Sequence, residues 1–122
     1  MNRWAVVRLL VMDAICDDYE NIDQIILREV AGAGARCGLA IERPEVVDAL
    51  AGLITDGLAA AYRLSTEEPF ATVLQGMPAV DEVEENFETY FYLTKRGLER
   101  KLSDNACWPY DDESNLIPER VK

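Results

Sequence analysis

Along residues 3–16 the apolar side chains Trp4, Val7, Leu10, Val11, Ala14 and Ile15 recur at three- and four-residue spacing, the pattern of a helix with one buried stripe. Val6 and Leu9 widen that stripe, so this first helix is expected at the centre of the core. Asp17 and Asp18 mark a turn. Asn21, with Gln24 three residues on, forms a capping pair that starts a second helix at Ile22. Its apolar face is Ile22, Ile25, Ile26, Val30 and Ala33. Gly32, Gly34 and Gly38 predict that it stops close to Ala33, ahead of a connector to Glu42 with a short strand at 39–41.

Pro44 suits the first position of a third helix over 45–56, because its missing amide hydrogen is not needed there. Val46, Leu50, Leu53 and Ile54 form the inward side of this helix, and Gly57 is its left-handed terminator. A strand is expected over 58–64 and a second over 90–93, where Tyr90, Phe91 and Tyr92 alternate across a sheet. Thr94 then caps a helix through Leu102. Residues 65–89 carry seven carboxylates and no Lys or Arg, with Pro69, Gly76 and Pro78 breaking the segment. Within this acidic insert, Phe70, Val73, Leu74 and Met77 are expected to pack back on the body, and 81–87 to form a short helical turn. Residues 103–122 show no period and are expected to be an irregular tail anchored by Trp108 and Tyr110.

The chain has 122 residues, so these elements belong to one domain, over 1–102, followed by the tail. A mean hydropathy of −0.10 argues against wholesale disorder and against a membrane protein. The apolar run 4–16 contains Arg8 and Asp13 and is shorter than the ~20 residues a membrane span needs. It also lacks the uninterrupted core of a secretory signal.

The charge changes the picture most. Twenty-three Asp and Glu face 12 Lys and Arg, a formal net charge of −11, which repels phosphate backbones and restricts any DNA contact to a local patch. The absence of His removes the commonest metal ligand and the commonest neutral-pH base, so zinc sites and Ser–His or Cys–His nucleophiles are unavailable within the chain. Acidic pairs such as Asp17–Asp18 and Asp111–Asp112 are turn residues without metal-ligand spacing. The segment Gly32-Ala33-Gly34 lacks the strand and helix that flank a phosphate loop. No catalytic residue, cofactor site or metal site is therefore expected. Cys16, Cys37 and Cys107 are odd in number and widely spaced, which suits reduced thiols in the cytoplasm.

Two segments carry a family resemblance. Leu50-Ala51-Gly52-Leu53-Ile54-Thr55-Asp56-Gly57-Leu58, followed by Tyr62-Arg63-Leu64, resembles the end of a winged-helix third helix and the strand after it. Tyr90-Phe91-Tyr92-Leu93-Thr94-Lys95-Arg96-Gly97-Leu98 is similar to the returning strand and the Leu-Thr-x-x-Gly helix start of MarR- and PadR-like bacterial regulators. The resemblance covers about residues 3–102. It implies an α+β fold: a winged-helix-like three-helix core with a small antiparallel β-hairpin and a C-terminal helix. In such a fold the third helix enters a major groove and the hairpin tip touches the backbone.

This chain departs from that pattern where DNA would be read. The outward positions of the third helix are expected to be Glu45, Asp48, Ala49, Gly52, Thr55 and Asp56, whereas base and phosphate readout uses Arg, Lys, Asn or Gln. The acidic insert stands in place of a basic wing. These six residues are instead a candidate face for a protein partner or a second copy, with Ala49 and Gly52 permitting close backbone approach. Tight packing of the same small residues against the second helix is the competing reading. The expected function is a small non-enzymatic regulatory or protein-interaction module. The alternative is a dimeric DNA-binding transcriptional regulator whose phosphate contacts are Arg43, Arg63, Lys95, Arg96, Arg100 and Lys101. A thiol sensor through Cys37 is a third reading.

Overall fold

The computed structural model describes residues 3–36, 38–78 and 89–104. Helix α1 (Arg3–Ala14) buries Val6, Val7, Leu9, Leu10, Val11, Met12 and Ala14, so apolar positions on more than one side are used. That explains its central place. Trp4 is the exception to the expected stripe: it is 48% exposed.

Asn21 caps the next helical segment as its sequence context predicts. Its side-chain oxygen accepts from the Asp23 amide at 3.0 Å, and its side-chain amide donates to the Thr89 carbonyl at 3.0 Å. One buried side chain thus starts a helix and ties it to the last strand. The chain enters through a π-helical turn (Ile22–Ile26), where the Ile25 and Ile26 amides both donate to the Asn21 carbonyl, and continues as α2 (Leu27–Arg36).

Helix α2 therefore runs past Ala33, contrary to the expectation from its glycines. Gly34 is held in the helix by tertiary packing, since Ile41 occupies the space a side chain would fill. The expected strand at 39–41 does not form; Ile41 instead points into the core at 7% exposure. Chain reversal comes at Gly38, with φ of +74°, whose amide donates to the Ala35 carbonyl while the Leu39 amide donates to Gly34.

Helix α3 (Arg43–Thr55) begins with Pro44 in its first turn and ends on the same motif at Gly57, where φ is again +74° and the Leu58 amide donates to the Leu53 carbonyl at 2.9 Å. The inward residues are Val46, Val47, Ala49, Leu50 and Leu53; Ile54 is partly exposed.

Three antiparallel strands follow, β1 (Ala59–Leu64), β2 (Ala71–Val73) and β3 (Thr89–Leu93), in the order β2-β1-β3. Burial in β3 alternates as expected: Thr89, Phe91 and Leu93 face the helices, and Tyr90 and Tyr92 face outward. Phe91 is directly opposite Ala61, and it also exchanges two backbone hydrogen bonds with Glu20, which lies between α1 and α2. The connection between the first two helices is thereby stitched to the far edge of β3.

Strand β2 lies inside the acidic insert and was not foreseen. Leu74 and Met77 pack on the core as expected, whereas Phe70 and Val73 are 58% exposed, because β2 is an edge strand whose outer residues have no neighbour among the described elements. The turn expected at 81–87 and the tail beyond residue 104 lie outside the described residues, as do Cys37 and Cys107.

Helix α4 (Lys95–Asp104) returns across α1. Three helices, an antiparallel hairpin sheet and a C-terminal helix make a winged-helix-like α+β architecture.

Candidate interaction surfaces on the third and C-terminal helices

The acidic positions of α3 are drawn into the fold by α1. Arg3 donates from two guanidinium nitrogens to the two carboxylate oxygens of Glu45, at 2.9 and 2.8 Å, and also to the Ala40 carbonyl at 2.7 Å. At the other end Arg8 pairs with Asp56. Between these pairs, Ala49 is fully buried and the Trp4 ring and Arg8 guanidinium lie 3.6 Å from where a Cβ on Gly52 would be. Residues 45, 49, 52 and 56 are spaced three and four apart and so form one stripe of α3. Small residues in its middle let α1 approach, and ion pairs close its ends.

This corrects the sequence-based assignment of faces. Ala49 is inward, and Gly52 is under Trp4 of α1 rather than against α2. Thr55 donates its hydroxyl to the Ala51 carbonyl at 3.0 Å. Of the six candidate residues, Asp48 and Thr55 remain on the outer surface without a partner on α1. The solvent stripe of α3 is Pro44, Asp48, Ala51 and Thr55, and it bears no Arg, Lys, Asn or Gln.

The Arg3 hydrogen bonds hold the Glu45 carboxyl below its ordinary range, against a smaller opposing effect of burial. A carboxyl lowered in the folded state contributes stability that is complete above its unfolded pKa and lost as pH falls through the folded one. The stability gap between the parent chain and Glu45→Gln is therefore expected to be widest near neutrality and to close in acid, below the usual carboxylate range. Urea denaturation of both proteins across that range measures it. Partial exposure of both side chains keeps the effect small.

The six candidate phosphate-contacting cations are distributed over α3, β1 and the C-terminal helix. Arg43, at the start of α3, is paired with Asp23 at 3.0 Å. Lys101 is paired with Asp13 of α1 at 3.3 Å. Arg63 is exposed on the central strand. Lys95, Arg96 and Arg100 are exposed on α4, which docks at the opposite end of α3 from Arg43. Thirteen residues of helix, about 20 Å, separate the two groups.

The position of α4 is fixed by the Thr-x-x-Gly segment. The Thr94 hydroxyl donates to the Gly57 carbonyl at 2.8 Å and accepts from the Gly97 amide at 3.0 Å, while the Thr94 amide donates to Leu58 at 3.0 Å. A helix cap is thus bolted to the α3–β1 turn. Gly97 lies directly on the Leu58 carbonyl, where a side chain has no room.

This docking creates a groove of about 870 Å³ between α1 and α4, lined by Trp4, Arg8, Leu9, Met12, Arg96 and Arg100 among others. The basic residues of α4 are legible in the sequence as part of the C-terminal helix, whereas Trp4 reads as a core residue and Arg8 belongs to no motif. The available signal was Arg8 itself, a cation one turn from Trp4 in an apolar run.

On the outer sheet face Tyr19 makes an edge-to-face contact with Tyr62 at 5.0 Å and a tilted contact with Tyr92 at 4.9 Å. Burial, and then its two neighbours, push the Tyr62 phenol upward. Burial likewise raises the Glu20 carboxyl, with Glu29 and Asp18 adding to the effect. Burial pushes the Cys16 thiol up to about 11, with Asp13 and Asp17 adding to the rise and Lys101 opposing it, so Cys16 rests as a thiol.

Among the described residues no group of three or more Cys, Asp or Glu is placed to hold a metal ion, and no helix is long and apolar enough to cross a membrane. Comparisons of the chain with protein-family models, with curated proteins and with solved structures give no match. The class defined by the architecture is a small winged-helix-like domain.

Proposed function

We propose that this chain is a small non-enzymatic regulatory module that recognises a protein rather than DNA, working in a reducing compartment such as the cytoplasm. The observation that carries this reading is the outer stripe of α3, Pro44, Asp48, Ala51 and Thr55, which offers a major groove no donor fork for bases and places a carboxylate against phosphates. The neighbouring carboxylates Glu45 and Asp56 are already committed to α1, so this surface is a braced wall of the fold. Dispersal of the cations supports the same reading. A DNA-binding regulator needs Arg43, Arg63 and the α4 cations along one duplex, and two of those six are held by Asp23 and Asp13.

The test is a fluorescence-anisotropy titration of a labelled random duplex, from low to moderate salt. No binding is expected even at low salt. Binding that weakens as salt rises, and that disappears in Lys95→Ala/Arg96→Ala, establishes phosphate contacts and replaces this reading with the DNA-binding one.

A further inference from the structure

We propose that the outer face of the three-stranded sheet, centred on Tyr19, Tyr62 and Tyr92, docks a proline-rich segment of a partner protein that carries Lys or Arg beside its prolines. The proposal rests on the protein-recognition reading above and gives it a place and a ligand chemistry.

The antiparallel register settles which side chains share this face, because residues directly opposite on neighbouring strands point to the same side. Tyr62 stands between Val73 of β2 and Tyr90 of β3, and Tyr92 stands opposite Ala60. The helical core closes the other side, where Ala61, Phe91 and Leu93 are buried. Tyr19, from the connection between α1 and α2, lies against the outer side. None of these six outward side chains is charged, in a chain where 29% of residues are. Val73 is 58% exposed and the four tyrosines are half-buried, so the face offers aromatic surface without a salt bridge to break.

Ring geometry favours a polyproline II helix. Tyr19 meets Tyr62 nearly edge-on, at 82°, and Tyr92 at 49°, so the cluster is corrugated rather than flat. The three rings span no more than about 10 Å, close to the ~9 Å of one polyproline II turn. The carbonyls of such a helix have no internal hydrogen bonds and accept from tyrosine hydroxyls, while its rings pack on aromatic side chains. Burial, and then Tyr19 and Tyr92, push the Tyr62 phenol upward, which keeps it a donor at neutral pH. Stacked bases need cations along the backbone, which these six residues do not supply. A partner strand needs an edge, and at Phe91 the edge of β3 is taken by Glu20.

Charge selects the rest of the ligand. Asp18 and Glu20 flank Tyr19 in the chain, and among the described residues neither forms an ion pair. Burial raises the Glu20 carboxyl, and Glu29 and Asp18 raise it further, so a cation brought by a ligand relieves a repulsion already present. Lys or Arg is drawn both to these carboxylates and to the tyrosine rings. The formal charge of −11 steers a basic segment inward and opposes a second copy. Three strands of at most six residues give a face of roughly 15 by 20 Å, suited to a peptide and short of the ~800 Å² per partner of a stable dimer.

The test is selection of a phage-displayed random peptide library against the full chain, followed by anisotropy titration of the enriched peptides as labelled synthetic ligands. Enriched peptides are expected to carry at least two prolines with Lys or Arg within a few residues. Their affinity is expected to fall by about tenfold or more in Tyr92→Thr, which keeps a strand-forming residue at an outward position. In Glu20→Gln a loss of about two- to fivefold is expected, with a shallower salt dependence. Arg96→Gln, in the groove between α1 and α4, is expected to change nothing. Circular dichroism establishes that each variant is folded. Tyr62→Phe, which removes only a hydroxyl and is expected to cost about threefold or more, keeps the test decisive if Tyr92→Thr is not.

Enrichment of acidic peptides, or of peptides without proline, overturns the proposal. So does indifference to the Tyr92, Tyr62 and Glu20 changes, although a peptide bound elsewhere leaves the protein-recognition reading intact. Displacement by a synthetic peptide of residues 105–122 overturns it in favour of the chain's own segment, and peptide-competed dimers in sedimentation overturn it in favour of a second copy. Failure to select any peptide overturns it too, and joined by salt-dependent duplex binding sinks the underlying reading as well.

Discussion

Replacing Phe91 by Ala is expected to lower stability by about 3–5 kcal/mol, the largest single-site loss among the described residues. Phe91 is fully buried, and among the described residues it is the largest side chain so enclosed. Directly across the ladder stands Ala61, also fully buried, whose methyl group leaves the space the ring fills. Removing the ring from a large–small pair opens a cavity that Ala61 cannot close. The backbone on the other side is held by the reciprocal Glu20 hydrogen bonds at 3.0 and 2.8 Å, so β3 cannot move inward without losing them. A domain of this size has about 5–15 kcal/mol in total, which leaves the variant marginal. Urea denaturation with matched slopes measures the loss. A change under about 1 kcal/mol contradicts the burial of the ring.

The second large effect has an unusual sign. Gly→Ala inside a helix ordinarily stabilises by about 1 kcal/mol. At Gly97 it is expected to destabilise by about 2–3 kcal/mol, as overpacking does where nothing can yield. The added methyl meets the Leu58 carbonyl, a backbone group that itself accepts the Thr94 amide at 3.0 Å, and the Leu93 side chain stands on the same side. Relief requires α4 to lift from the α3–β1 turn, which breaks the Thr94 cap and opens the groove. The control is Gly32→Ala on α2, where a Cβ has nothing within 4 Å and the usual stabilising sign is expected. Urea midpoints of the two variants, one lowered and one raised, separate local space from helix propensity. Loss of the groove between α1 and α4 is expected only in the first.

Local punctuation made much of this fold legible in sequence. The Asn21 cap, Pro44 in the first turn of α3, Gly57 as the left-handed stop and Thr94 as the last cap all act through backbone geometry within a few residues. The 2-residue alternation of β3 was equally direct. What failed depended on neighbours distant in sequence. Gly34 remains helical because Ile41 packs on it, which also removes 39–41 from any strand. The α3 face was misassigned at Ala49 and Gly52, because an alanine–glycine stripe looks alike whether it meets water or another helix. Glu45 and Asp56 looked like an acidic surface because their partners, Arg3 and Arg8, lie more than 40 residues away. The groove combines two helices from opposite ends of the described chain, so no local pattern announces it.

The stitching of β3 also sets an order of events during synthesis on the ribosome. Helix α1 and the turn after it are made before β3, so the Ile15 carbonyl waits for the Leu93 amide, Glu20 for Phe91, and the Asn21 side chain for the Thr89 carbonyl. None of these partners exists until some seventy further residues have been made, so the nascent chain carries the connection over residues 15–21 with these ties unmade for that interval. At about 5–20 residues per second that interval lasts several seconds, much longer than hydrophobic collapse. Closure of the connection between α1 and the second helical segment onto β3 is thus a late step built into the topology, and a circular permutation that places α1 and this connection after β3 shortens the interval.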